Sequence, residues 1–316
     1  MGGTASGFSS LGPTDIQISP LGIGTWQWGD RFYWGYGSSY SNDDIDASFR
    51  AALASDINFY DTAEMYGFGQ SERLVGEAMR KAGEPAVIAT KFMPFPWRLR
   101  KASLRGALRG SLERLGVERV DLYQMHWPLP PVSIERWMDA MADAHDAGLV
   151  TAVGVSNCNV GQLRRAHTAL AKRGVPLAAD QVRYSLIDRS PETTGLLDAC
   201  RELNVTLTAY SPLGQGLLTG KYSAENPPPG IRQRRGGSRR HLERLQPVID
   251  LLRSTGAAHD GKTPGQVALN WLICKGAVPI PGAKNAEQAQ QNAGALGWRL
   301  TDDEVTALDE VSTAVG

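Results

Sequence analysis

The chain has 316 residues, a length that suits one (β/α)8 barrel as well as two smaller domains. Lysine and arginine together number 33, as do aspartate and glutamate, so the formal net charge is zero and no overall field favours nucleic acid or an anionic membrane. Hydrophobic residues make up 42%, which excludes a disordered composition and predicts a sizeable core with a small molecule as the expected partner.

Apolar runs rich in β-branched residues recur eight times along the chain. In chain order they cover residues 21–26, 57–61, 86–91, 120–126, 152–156, 178–182, 206–211 and 278–281. Between them lie stretches with helical spacing, over residues 44–55, 71–81, 102–115, 134–147, 160–171, 192–203 and 265–274. Runs such as VIAT and AVGV are apolar on both faces, which is typical of parallel strands covered by helices. This alternation predicts an α/β protein, a (β/α)8 TIM barrel with long loops at its C-terminal face.

Two segments fall outside the alternation. Residues 1–20 form a terminal segment, and residues 222–237, which begin in a proline-rich stretch and continue into IRQRRGG, predict a mobile surface loop. The arginines of this loop have two interpretations, a solvated basic stretch or a lid over bound phosphates. Because no repeat and no convincing boundary divides the chain, we predict one domain over 1–316.

The cysteines and the N-terminal residues indicate the cellular compartment in which the protein is expected. Cys158, Cys200 and Cys274 are an odd, widely spaced set without a CxxC pair, which argues against a disulfide framework and a structural zinc site. The first residues lack the basic and apolar regions of a secretory signal, and no apolar run approaches the length of a membrane span. We therefore expect a cytoplasmic protein without membrane contact.

Four ionisable residues follow predicted strands, where the loops of a barrel build the active site. They are Asp61, Tyr66, Lys91 and His126. A carbonyl that accepts hydride also needs a proton, and a tyrosine whose pKa is about 10 is a reluctant donor at neutral pH. A buried Lys91 ammonium would lower the pKa of Tyr66, and Asp61 would offset the cost of burying that ammonium. His126 could donate to the substrate oxygen and orient the carbonyl.

Each of the four also has a plainer interpretation. A strand-end aspartate and lysine often form a structural ion pair, a tyrosine near a turn often packs, and a histidine often satisfies a local hydrogen bond. Their joint placement on three strands favours the catalytic interpretation.

Longer segments carry a resemblance to a known family. GIGTW, NFYDTAEMYGFGQSERLVGEAM, VIATK, DLYQMHWP, AVGVSN, ADQVRYSL, TAYSPLGQGLLTGKY and VPIPGAKN resemble the aldo-keto reductase superfamily in order and spacing, from about residue 22 to about residue 300. Further segments, IATKFMPFPWRL, NWLICKGAVPIPGAKN and GALGWRLTDDE, look most like plant and cyanobacterial reductases of the pyridoxal reductase type. The resemblance implies reduction of an aldehyde or ketone to the alcohol by hydride from C4 of NADPH, without metal or flavin.

The resemblance also assigns roles to residues. The four ionisable residues match the family's catalytic tetrad, with Tyr66 as general acid. Ser156, Asn157 and Gln181 match the residues that hold the nicotinamide carboxamide, and Tyr210 matches the ring that stacks on nicotinamide. An amide group needs both donors and acceptors, which these side chains supply. The other expected cofactor contacts are Gly24, Thr25, Trp26, Asp61, Ser211, Pro212, Leu213, Gln215, Gly216, Leu217, Lys221, Ile280 and Pro281.

Two segments predict phosphate binding. The glycine-rich run 211–220 can turn backbone N–H groups toward a pyrophosphate. Gly282, Ala283 and Lys284 follow the last strand at the start of a helix, the adenosine 2'-phosphate position by resemblance. Some family members carry Arg at the position of Gln288 and Glu at that of Gln291, whereas Asn292 remains available to the adenine. We expect NADPH, with a preference over NADH that the missing second cation weakens.

Aromatic residues at strand ends predict the substrate pocket. The expected substrate contacts are Trp26, Trp28, Trp34, Tyr66, Met93, Phe95, His126 and Trp127, with Trp97 nearby. Such walls suit a flat or ring-bearing aldehyde, although aromatic clusters are also typical of packing. Arg31 and Arg98 could meet an anionic substrate group. Pyridoxal, aromatic aldehydes, sugar-derived aldehydes and polyketide carbonyls remain open as substrates, and the chain is either a monomer or a homo-oligomer.

Two rival functions remain open at this point. The barrel could bind its cofactor as a redox sensor or regulatory protein of the channel β-subunit type, although the intact tetrad weighs against this. It could also be an aldolase in which Lys91 forms a Schiff base with a carbonyl substrate, since such chemistry needs a desolvated lysine.

Overall fold

The computed structural model describes residues 7–228, 238–313 and 315, and its central feature is a closed sheet. A short antiparallel hairpin, β1 (Ser9–Ser10) and β2 (Gln17–Ile18), precedes eight parallel strands. These are β3 (Gly22–Gly24), β4 (Phe59–Asp61), β5 (Val87–Phe92), β6 (Val120–Met125), β7 (Val150–Ser156), β8 (Leu177–Arg183), β9 (Thr206–Tyr210) and β10 (Val278–Pro279), each paired with the next in the chain. The Gly24 backbone N–H donates to the Pro281 carbonyl at 2.9 Å and joins the two edges. The predicted (β/α)8 barrel is confirmed.

Helices surround the barrel. They are α1 (Asn42–Leu53), α2 (Gln70–Ala82), α3 (Lys101–Leu115), α4 (Ile134–Asp146), α5 (Val160–Ala171), α6 (Ser190–Thr193), α7 (Leu196–Glu202), α8 (Arg239–Ala258), α9 (Pro264–Cys274), α10 (Ala286–Ala293) and α11 (Asp302–Thr313). Six of the seven predicted helices lie within two residues of an observed one. The prediction of one helix over 192–203 was wrong, because Gly195 adopts φ of 74° and separates α6 from α7.

The core has two layers that leave only one end of the barrel open. Small and branched side chains such as Ala89, Leu122 and Ala152 fill the interior, and a larger cluster lies between strands and helices. Leu11 and Ile18 of the hairpin pack into the interior cluster at the N-terminal ends of the strands. The sequence predicted only a terminal segment here, whereas residues 9–18 close the bottom of the barrel. Among the described residues, the end of the barrel that remains open to a ligand is therefore the one at the C-terminal ends of the strands.

The predicted loop over 222–237 is only partly visible. Residues 222–228 contain neither helix nor strand, and 229–237 lie outside the described residues. Arg239 and Arg240, which follow the predicted loop in the sequence, begin α8. Within the described ranges, no helix is both long enough and apolar enough to cross a membrane.

Candidate active site

A cavity of about 820 Å³ opens at the C-terminal ends of the strands. Its wall includes Asp61, Tyr66 and His126 together with Lys284 and Asn292, so three of the four predicted catalytic residues face the same space as predicted cofactor residues. The volume lies within the range of pockets that hold cofactors and drug-sized ligands.

The ammonium of Lys91 is the centre of the site. Its Nζ donates to Asp61 Oδ2 at 2.7 Å, to the Thr62 carbonyl at 2.7 Å and to the Tyr66 hydroxyl at 3.3 Å. Lys91 is fully buried and Asp61 nearly so. Burying an ammonium is costly unless a carboxylate and further acceptors surround it, and these three oxygens meet that need.

Neighbouring strands and a left-handed turn explain this meeting of side chains. Asp61 ends β4 and Lys91 lies near the end of β5, its parallel neighbour. Tyr66 begins a 3₁₀ turn in which Gly67 and Phe68 have φ of 55° and 54°. Glycine tolerates that region freely, whereas a phenylalanine there is strained, so the tight turn after Tyr66 is maintained at some energetic cost.

The pKa of Tyr66 corrects one expectation from the sequence. Burial, and then the Asp61 carboxylate, raise the pKa of this phenol well above its usual value. The net shift is therefore upward, opposite in direction to the contribution that was predicted for Lys91. Burial also lowers the pKa of Lys91, and Asp61 opposes that shift. The phenol consequently keeps its proton at neutral pH, and the ammonium at 3.3 Å can stabilise a phenolate once one forms.

His126 is a neutral imidazole. Burial, and then the charge of Lys91, lower its pKa to about 3. Its backbone N–H donates to the Phe92 carbonyl at 2.8 Å, and its ring meets the Tyr66 ring edge-on at 5.8 Å between centroids. Nδ1 is buried and has no hydrogen-bond partner among the described residues. A neutral ring carries one N–H donor, which suits an uncharged substrate oxygen.

The four residues matched to nicotinamide binding form a network with the tetrad. Asn157, at φ of 60°, donates from Nδ2 to the His126 carbonyl at 3.0 Å and to Ser156 Oγ at 2.9 Å. The Tyr210 hydroxyl donates to Asn157 Oδ1 at 3.0 Å. Gln181 Nε2 donates to Asp61 Oδ1 at 2.7 Å, so its Oε1 remains for a ligand donor. All four line the cavity.

Sequence reasoning missed Gln124 in this network. Gln124 is fully buried in β6, and its Nε2 lies 3.5 Å from Asp61 Oδ1, the oxygen that Gln181 also contacts. A Cβ at Gly154 would lie 2.9 Å from Gln124 Cγ, so that glycine leaves room for the amide. The available signal was a polar residue two positions before His126, which period-two alternation places on the same face of the strand.

The two predicted phosphate segments lie along the same cavity. The run after β9 is a tight turn in which Ser211, Gln215 and Gly216 have φ of 53°, 58° and 98°. Lys284 Nζ donates to the Trp34 carbonyl at 2.9 Å, and its backbone N–H donates to Gln288 Oε1 at 3.0 Å. The glycine-rich turn therefore places backbone dipoles at the cavity wall, and the segment after β10 places the Lys284 ammonium there.

Most of the predicted cofactor residues line the cavity. They are Gly24, Trp26, Asp61, Ser156, Asn157, Gln181, Tyr210, Ser211, Pro212, Leu213, Gln215, Gly216, Lys221, Ile280, Pro281, Gly282, Lys284, Gln288, Gln291 and Asn292. Thr25, Leu217 and Ala283 are buried behind this wall. The Thr25 hydroxyl donates to the Asp61 carbonyl at 2.9 Å, so it supports the wall instead of facing the cavity.

The predicted substrate residues divide in the same way. Trp26, Trp34, Tyr66, His126 and Trp127 line the cavity. Trp28 does not, because it is fully buried in the core and its Nε1 donates to the Ala283 carbonyl at 2.7 Å. Met93 and Phe95 also lie outside the cavity wall, and the Phe95 ring stacks on Trp97 at 4.6 Å. For Trp28, packing in the core explains the side chain better than substrate contact.

The fold is a (β/α)8 barrel with a cavity at its C-terminal face, and comparison with known proteins identifies the family as one of oxidoreductases. Residues 20–313 match the aldo/keto reductase family, and the chain belongs to that family. It is 42% identical over 313 residues to a chloroplastic pyridoxal reductase of Arabidopsis thaliana, covering 95% of this chain and 84% of the relative. The resemblance predicted from the motifs is confirmed.

Solved structures agree with this assignment. The glycerol dehydrogenase AKR11B4 from Gluconobacter oxydans is 29% identical with a TM-score of 0.85, over 97% of this chain and 95% of that one. An aldo/keto reductase from Klebsiella pneumoniae in complex with NADP and acetate is 27% identical with a TM-score of 0.75, over the same shares of the two chains. Family membership supports NAD(P)H-dependent carbonyl reduction by this chain.

Proposed function

We propose that the protein reduces an aldehyde or ketone to the alcohol with NADPH and with Tyr66 as the proton donor. The observation that carries this proposal is the contact set of Lys91, whose ammonium touches both the Asp61 carboxylate and the Tyr66 hydroxyl. That arrangement supports proton donation by a protonated phenol beside a fixed positive charge.

The residues present fit a nicotinamide dinucleotide phosphate. The cavity is large enough, its wall includes amide side chains that suit a carboxamide, and Lys284 suits a 2'-phosphate. The glycine-rich turn at 211–220 and the neighbouring Lys221 suit a pyrophosphate. When bound, NADPH supplies the hydride to the carbonyl carbon.

The remaining chemistry belongs to the chain's own side chains. The Tyr66 hydroxyl gives its proton to the carbonyl oxygen, and the Lys91 ammonium stabilises the phenolate that results. Asp61 holds that ammonium in place through a buried ion pair at 2.7 Å. Neutral His126 donates an N–H to the same oxygen and orients the carbonyl.

An aromatic aldehyde of the pyridoxal type is the substrate class that we favour. Trp26 and Trp34 meet edge-on at 5.5 Å between centroids, and Trp127 lines the cavity while 41% exposed. These flat apolar walls suit a ring-bearing aldehyde. The similarity to a protein named pyridoxal reductase supports the same class.

A Schiff-base aldolase is less well supported. Each proton of the Lys91 ammonium already has an oxygen partner, at Asp61, Thr62 and Tyr66, so nucleophilic attack would require breaking a buried ion pair. A redox sensor of the channel β-subunit type would bind the same cofactor, and turnover distinguishes it from an enzyme.

The proposal is tested by a panel of aldehydes and ketones that includes pyridoxal, followed by loss of NADPH absorbance. We expect steady turnover with at least one aromatic aldehyde and no borohydride-trapped adduct on Lys91. Binding of NADPH without turnover of any carbonyl would favour the sensor, and a trapped adduct at Lys91 would favour the aldolase.

A further inference from the structure

The cavity wall has more positive charge than its acidic residues balance. Within the described residues its charged side chains are Asp61, Arg183, Lys221 and Lys284. Asp61 is already paired with Lys91. Three cationic side chains therefore line the cavity, and the one carboxylate in its wall already forms an ion pair with Lys91. A wall with this charge attracts anionic ligands.

Two of the three cations lie beside the phosphate segments. Lys284 lies between β10 and α10, and Lys221 directly follows the glycine-rich run 211–220. The phosphates of the proposed cofactor account for both. Arg183 lies in neither segment, so the phosphates of the cofactor do not account for its place at the cavity wall.

Arg183 lies at the catalytic end of the cavity. It ends β8, two residues beyond Gln181, whose amide donates to Asp61. Alternation along a strand places Arg183 and Gln181 on the same face. The sheet register pairs Arg183 with Tyr210, and burial raises the pKa of Tyr210 while the Arg183 guanidinium opposes that rise. The charge of Arg183 thus acts near the ring matched to nicotinamide stacking.

The guanidinium of Arg183 is accessible. Its side chain is 53% exposed, and its Nε lies 3.2 Å from Asp188 Oδ2. The other oxygen of Asp188 accepts a hydrogen bond from the Ser190 hydroxyl at 2.7 Å. Among the described residues, no hydrogen bond is recorded from either terminal nitrogen of Arg183, so both can donate to a ligand. These two donors match the geometry of a carboxylate or phosphate.

The arginines that the sequence suggested for this role lie elsewhere. Arg98 forms a forked ion pair with Glu64, with Nη2 to Oε2 at 3.1 Å, and it packs over the Phe92 and Phe95 rings. Arg98 therefore links the loops after β4 and β5. Arg31 is exposed and does not line the cavity. Neither Arg31 nor Arg98 is among the residues that line the cavity, whereas Arg183 is.

We propose that Arg183 binds an oxyanion group, carboxylate or phosphate, on the carbonyl substrate, and that the protein therefore prefers anionic aldehydes. This inference rests on the proposed carbonyl reduction. Asp188 would act as a positioning residue that fixes Nε and directs the terminal donors into the cavity. Exposed ion pairs of this kind are weak, so a bidentate ligand can compete for the guanidinium.

The test compares 4-carboxybenzaldehyde with its uncharged methyl ester at saturating NADPH and low salt. In Arg183→Gln we expect kcat/KM for the acid to fall about tenfold, mainly through KM, and kcat/KM for the ester to change less than about threefold. Arg183→Lys should keep part of the preference, since it retains charge without the fork. Arg31→Gln is the matched control and should keep the wild-type ratio of kcat/KM for the acid to kcat/KM for the ester.

The same comparison with pyridoxal and its 5'-phosphate distinguishes a preference for phosphate from a preference for carboxylate.

Equal losses for acid and ester in Arg183→Gln, or no loss for either, would overturn the role of Arg183. A rise in the Kd for NADPH with an unchanged acid-to-ester ratio would also overturn it, since Arg183 would then serve the cofactor. Absence of turnover with every aldehyde would count against the proposed function instead. In that case, binding of 4-(hydroxymethyl)benzoate to the NADP+ complex decides the inference: wild type should bind, and equal binding by Arg183→Gln would contradict it.

Discussion

Lys91, Tyr66 and His126 show how burial assigns different protonation states to neighbouring groups. Burial raises the pKa of the Tyr66 phenol and lowers the pKa of His126 to about 3. Both side chains are therefore uncharged at neutral pH, and both carry a proton that can be donated to a carbonyl oxygen. Lys91 and Asp61 supply opposite charges close by, so the phenolate that follows proton transfer is stabilised by a group already in place.

His126 should remain neutral throughout the range in which most histidines titrate. Because burial lowers its pKa to about 3, its ring keeps one proton from pH 5 to pH 9. Side-chain ¹⁵N spectra of the five histidines, with His126→Asn to assign the signal, measure this directly. A His126 resonance that titrates near pH 6.5 would contradict the account.

At the scale of elements, the strands were predictable and the loops between them were not. Apolar runs identified β3 to β10, because a strand covered on both faces needs few polar residues. The two-residue strands of the hairpin carry no such run, and the break at Gly195 depends on a left-handed backbone that neighbouring residues do not signal. Ionisable residues at the ends of predicted strands likewise identified Asp61 and Lys91 as candidate catalytic residues. It could not show that Trp28 turns into the core, because loop geometry decides that.

The segment between β10 and α10 should determine the choice of cofactor. The Lys284 ammonium suits a 2'-phosphate, so Lys284→Met should raise the Kd for NADPH about tenfold or more and change the Kd for NADH little. Lys284→Arg is the control that keeps the charge. Quenching of tryptophan fluorescence measures both constants. Equal weakening of NADPH and NADH would show that Lys284 acts through Trp34, whose carbonyl it contacts at 2.9 Å.

In the molecule as a whole, the closed barrel separates a stabilising end from a reactive one. The hairpin fills the N-terminal end, while loops with left-handed residues such as Asn157 and Ser211 build the C-terminal end. The sequence predicted this polarity, because ionisable residues follow the strands. It did not predict a buried ionisable side chain on the other face of a strand, and Asp180 is the clearest example.

Asp180 should make the stability of the whole protein depend on pH. Burial raises its pKa from 3.8 to about 8, and the Cys158 backbone N–H opposes the rise. Between about pH 4 and pH 8 the folded state keeps a proton that the unfolded state has lost, so stability falls as pH rises through this range.

Asp180→Asn removes that ionisation and should raise Tm at pH 8 relative to wild type. The expected gain is on the order of 2 °C for each kcal/mol in a domain of this size, and it should shrink toward pH 5. Differential scanning fluorimetry at the two pH values measures it. A Tm difference that is the same at both would show that the Asp180 proton is not involved.

The most direct measurement of the central claim is a single turnover with NADPH deuterated at the transferred position, in wild type and Tyr66→Phe. Wild type should place the deuterium on the carbinol carbon of the product. Tyr66→Phe should bind NADPH with a similar Kd and transfer the deuterium slower by about a hundredfold or more, because it lacks the proton donor. Transfer at the wild-type rate in Tyr66→Phe, or a product without deuterium in wild type, would contradict the account.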